Sequence, residues 1–113
     1  MKVIVFVFLM LLGSFVFAEN GPLNSKLKPS KIYNDGGSSY YIEFNSGSMP
    51  GCYSDKGGRL KSTNPLFKET YSTVLTMMAI GGIRGHVVFN VTGTDGSWSE
   101  CEIVGFDLKP MQN

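Results

Sequence analysis

The chain has two thiols, Cys52 and Cys101, and a single imidazole, His86. Two cysteines allow one intramolecular pairing, and their spacing is not the C-x-x-C of a redox pair. A disulfide between them closes a loop of roughly 50 residues, which stabilises by about 4 kcal/mol on the chain-entropy argument. His86 has no second His and no Cys/His cluster near it, so it reads as a structural residue rather than a base or a metal ligand. No G-x-S-x-G occurs. Ser25-Lys26-Leu27-Lys28 has the form of S-x-x-K without that motif's companions. Gly82-Ile83-Arg84-Gly85 has the form of a KH clamp, but it joins a helix to a strand instead of two helices. Asn90-Val91-Thr92 is a formal glycosylation sequon in mid-strand, a poor acceptor position. No catalytic residue, metal or cofactor is expected.

Binding chemistry is better represented. Trp98 has Asp95 and Glu100 near it in a segment between two strands. An indole ring stacks on the apolar C–H face of a sugar while carboxylates take its hydroxyls. The plainer reading folds Trp98 over the end of the domain as core. Tyr41 and Glu43 alternate onto the outward face of one strand and form a second candidate pair of the same kind.

The compartment follows from the first eighteen residues. Lys2 precedes an unbroken apolar run from Val3 to Leu12, and Val16-Phe17-Ala18 places small residues where a signal peptidase reads. The run is shorter than the roughly 20 residues of a membrane span. The expected layout is a cleaved signal peptide over 1–18, a loose lead over 19–27 and one domain over 28–113. That makes the protein secreted or periplasmic, with no stable membrane span after cleavage. An oxidising compartment favours the Cys52–Cys101 bond. Without Lys2, nine basic and nine acidic side chains remain. This balance argues against binding nucleic acid or an anionic membrane surface.

The elements that must position these residues are mostly strands. Lys31-Ile32-Tyr33 and Ser39–Phe44 flank Asn34-Asp35-Gly36-Gly37, a turn signal, and so predict a hairpin. Gly51–Ser54 reads as a short third strand carrying Cys52, with Asp55-Lys56-Gly57-Gly58 as a turn after it and Arg59-Leu60-Lys61 extending the edge beyond. Asn64-Pro65 suits a helix start and Gly81-Gly82 its stop. Phe67, Tyr71, Val74, Leu75 and Met78 form the apolar stripe between them. Leu66 and Met77 widen that stripe, as a core contact or as a surface for homo-oligomer assembly. Arg84–Val91 and Glu100–Leu108 are the last two strands, with a phase change near Gly105 that fits a bulge. A helix between the third and fourth of five strands is the order of the OB-fold, a small closed barrel. The alternative is an open antiparallel sheet with one packed helix.

Phe67-Lys68-Glu69-Thr70-Tyr71-Ser72-Thr73-Val74-Leu75, Gly81, the strand His86–Val91, Gly96-Ser97-Trp98 and Cys101–Phe106 form a pattern over residues 51–108. In it the chain resembles the subtilase cytotoxin B subunit and related short secreted bacterial proteins. The resemblance implies an OB-barrel, pentameric assembly and binding of sialylated glycans. It carries no sugar-contacting residue onto this chain, because those lie mostly in the first half. Together these readings predict a non-enzymatic binding module with a glycan as partner. The alternative is a periplasmic or exported protein–protein module, an inhibitor or assembly factor for an envelope protein.

Overall fold

The computed structural model describes residues 18–34, 38–93 and 101–110. The signal segment up to residue 17, the turn residues 35–37 and the segment 94–100 with Asp95, Trp98 and Glu100 lie outside the described residues. Among those described, the chain order is β1 (Glu19–Asn20), β2 (Asn24–Leu27), β3 (Pro29–Tyr33), β4 (Ser39–Phe44), β5 (Gly57–Lys61), α1 (Phe67–Ile80), β6 (Ile83–Val91) and β7 (Cys101–Leu108). No helix among them is long and apolar enough to cross a membrane.

Read from neighbour to neighbour, the strands form an open mixed sheet in the order β1-β6-β7-β5-β4-β3, and β2 also pairs with β6. This is the open-sheet alternative with one correction. All pairs are antiparallel except β5 and β7, which run parallel at Arg59 and Glu102. Parallel neighbours need a crossover connection, and α1 with β6 supplies it.

The lead 19–27 is not loose. Glu19 and Asn20 pair with Phe89 and Val88, and Asn24 and Leu27 pair with Gly85 and Ile83. The Gly21 amide donates to the Val87 carbonyl at 2.8 Å. Leu27 is fully buried. The mixture of Gly, Pro, Asn and Ser reads as a loose lead. The unpaired edge of β6 turns it into strand, because backbone groups are satisfied there whatever the side chains.

The third strand also differs from expectation. Gly51–Ser54 is a succession of turns: φ is positive at Gly51, Ser54 and Asp55, which no extended strand allows. The strand is Gly57–Lys61 instead, between β4 and β7. Its two glycines are there for close packing rather than for turning. A Cβ on Gly57 would collide with the Tyr41 hydroxyl, and one on Gly58 would lie 2.9 Å from Met49 Cε and 3.0 Å from the Cys101 carbonyl oxygen.

α1 begins two residues later than Asn64-Pro65 suggests. Asn64 acts earlier in the turn, where its Oδ1 accepts from the Leu66 amide at 2.9 Å. The stop is as expected: Gly81 is left-handed with φ 88° and its N–H returns to the Met77 carbonyl. The buried stripe is Thr70, Val74 and Met77, with Phe67 and Tyr71 packed beside it. Leu75 and Met78 are exposed, which corrects their assignment to that stripe.

The core gathers Leu27, Ile42, Phe44, Leu60, Phe89 and Ile103 from the inner face of the sheet with Val74 and Met77 of α1. The expected bond between Cys52 and Cys101 is present, with Cα atoms 5.6 Å apart. It ties the turn segment before β5 to the start of β7. The expected bulge is there too: Val88 pairs Gly105 and Phe89 pairs Ile103, so Val104 is the extra residue.

Candidate functional site: the outer face of the sheet

The inner face is apolar because strand residues alternate, and the same alternation sends the polar set outward. Register aligns that set. Tyr33 pairs Tyr41, Tyr41 pairs Arg59, Arg59 pairs Glu102 and Glu102 pairs Asn90. One row therefore crosses β3, β4, β5, β7 and β6 as Tyr33, Tyr41, Arg59, Glu102, Asn90. A second, shorter row beside it holds Lys31, Glu43 and Gly57.

The structure brings Tyr41 and Glu43 together but gives them different work from that expected. The Tyr41 hydroxyl donates to Glu43 Oε2 at 3.2 Å. Tyr41 is only 1% exposed, so it is not an outward stacking surface. Its ring lies over the bare backbone of Gly57 and meets the edge of Tyr53 at 80°, with centroids 6.0 Å apart. Burial pushes its phenol pKa well above the ordinary 10.0, and the Glu43 carboxylate, which prefers a neutral neighbour that donates to it, pushes it further. Lys56 Nζ stands 3.7 Å from Glu43 Oε1. Glu43 is thus held on one oxygen by a phenol and on the other by an ammonium.

Exposed aromatic surface comes from Tyr33, which is 47% accessible. Lys31 Nζ lies 5.8 Å from its ring centroid, in cation–π range. Along the row, Arg59 Nη1 donates to Ser39 Oγ at 3.0 Å, and Lys61 Nζ is 3.7 Å from Glu102 Oε2. At the far end the side-chain oxygen of Asn90 is buried with no hydrogen-bond partner among the described residues. Such an acceptor is costly unless a donor reaches it.

Tyr33, Lys31, Lys56, Arg59 and Glu102 went unmarked in the sequence. The hairpin register alone places Tyr33 beside Tyr41 and Lys31 beside Glu43. Arg59 and Glu102 meet only through the parallel pair, which leaves no local signal. The expected site residues Asp95, Trp98 and Glu100 fall within 94–100, outside the described residues.

The face offers planar rings, fixed acceptors and fixed donors. Among the described residues no three His, Cys, Asp or Glu gather to hold a metal ion. His86 Nδ1 is 2.7 Å from the Gly21 carbonyl oxygen, which accepts its proton, so the imidazole fastens the lead to β6. No family model, no curated protein and no solved structure matches this chain.

Proposed function

We propose that the chain is a secreted, non-enzymatic binding module whose sheet closes as an OB-type barrel and whose outer face holds a glycan. Closure is supported by β2 and β3. Only Lys28 separates them, yet β2 pairs β6 at one end of the sheet path and β3 pairs β4 at the other. One bent segment thus reaches both edges. In OB-folds the second and third strands carry the ligand face. Their counterparts are β4 and β5, which hold Tyr41, Glu43 and Arg59. The disulfide supports an exported, non-reducing environment.

The observation that carries the glycan reading is the row itself. An exposed tyrosine ring at one end is followed, beyond the buried Tyr41, by cation, carboxylate and a buried amide oxygen with no partner among the described residues. Sugars need both an apolar stacking plane and fixed polar partners for their hydroxyls. A glycan array probed with the mature, oxidised protein tests it. Tyr33→Ala and Glu43→Gln should each lower binding to the best glycan by about tenfold, on the order of 1.4 kcal/mol. Absence of binding to every glycan would overturn the proposal.

A further inference from the structure

A groove of about 360 Å³ runs between the start of α1 and the second half of β7. That volume lies within the range of roughly 300–1,000 Å³ typical of ligand sites. Leu66 and Glu69 form one wall, Phe106 and Leu108 the other, and Val88 shows through at Gly105.

Three observations concern what fits it. The first is a strand edge. β6 pairs one side of β7 through Leu108, whereas β5 pairs the other side only at Glu102. The Asn64 amide caps the next carbonyls, donating to Ile103 at 3.3 Å and Val104 at 3.1 Å. Beyond them, among the described residues, no strand pairs the α1 side of β7 from Gly105 to Leu108. The second is open space. A Cβ on Gly105 would meet nothing within 4 Å. Its φ is not positive, so any side chain suits the backbone there. The third is charge. Glu69 is exposed and forms no ion pair among the described residues.

We propose that this groove receives an extended peptide segment of a partner protein, added as a strand to the free edge of β7. Strand addition draws affinity from main-chain hydrogen bonds and specificity from pockets for alternate side chains. The segment carries apolar residues at alternate positions, toward Phe106 and Leu108, which share one face of β7, and a Lys or Arg within reach of Glu69. This site is separate from the outer-face row and does not depend on the glycan reading.

The test is selection of displayed linear peptides on the mature, oxidised protein, with Gly105→Leu as the blocked counterpart. Enriched peptides should alternate apolar residues and contain Lys or Arg. Made synthetically, they should bind Gly105→Leu about tenfold or more weakly. They should also slow amide exchange over Gly105–Leu108. Glu69→Arg, a change on an exposed helix position, serves if Gly105→Leu fails to fold, and should weaken the basic peptides by a similar factor. No enrichment, or equal binding to both variants, overturns the proposal. So does a dimer of the protein that Gly105→Leu dissociates, or occupancy by a cationic surfactant without any peptide.

Discussion

Among single side chains, the disulfide was fully legible, because two cysteines leave one pairing. Tyr41 was not. Alternation put it on the face away from the core, but it is buried there, and the glycine that makes room for its ring is on another strand and has no local signature. Its chemistry gives a pH signature. The folded state holds the Tyr41 proton where the unfolded chain releases it. Stability is therefore fully present below about pH 10 and falls as pH rises through the elevated folded pKa. Tyr41→Phe should flatten that alkaline fall and cost about 1–2 kcal/mol near neutrality through the lost bond to Glu43. Urea midpoints collected from pH 7 to about 11 read both effects. An alkaline slope unchanged in the variant would mean that another group controls it.

Among the elements, those with strong periodicity came through: β4, α1, β6 and β7 lie within three residues of their sequence-based bounds. β5 did not, because Gly57 and Gly58 look like turn residues until Tyr41, Met49 and Cys101 are seen pressing on them. The lead was misread for a related reason. β-pairing of β1 and β2 depends on the β6 edge, not on their own side chains. Asn64 joins two elements that sequence treats separately. One side chain accepts from the first turn of α1 and donates to two carbonyls of β7. Asn64→Ala should therefore cost about 1–2 kcal/mol, the upper part of the range for a lost capping side chain. Asn64→Asp keeps the acceptor and loses the donor, so its stability should fall between the two in the same denaturation series. An alanine variant as stable as the parent would show that the β7 contacts contribute nothing.

Over the full chain, the helix position was readable, but the strand count, seven among the described residues against five expected, and the path of the sheet were not, since pairing between distant strands leaves no trace in local composition. The proposed closure through β2 and β3 makes a direct prediction. A chain beginning at Lys28 loses every pair on the outer edge of β6, and also the buried Leu27. It should lack the dispersed amide spectrum of a folded sheet, whereas a chain beginning at Glu19 should show it. A folded Lys28 chain would mean that the lead is dispensable. The parallel seam between β5 and β7 has a further consequence, in time rather than in space. The β3–β4, β4–β5 and β6–β7 pairs join consecutive strands, while the seam, like the pairing of β1 and β2 with β6, waits for distant chain to be laid down. Loop-closure entropy makes such a contact late. Cys52 and Cys101, 49 residues apart, flank that seam. We expect their oxidation to follow formation of the β6–β7 pair during refolding of the reduced chain, so that the bond acts as a latch closed on an assembled sheet rather than as a guide to its assembly.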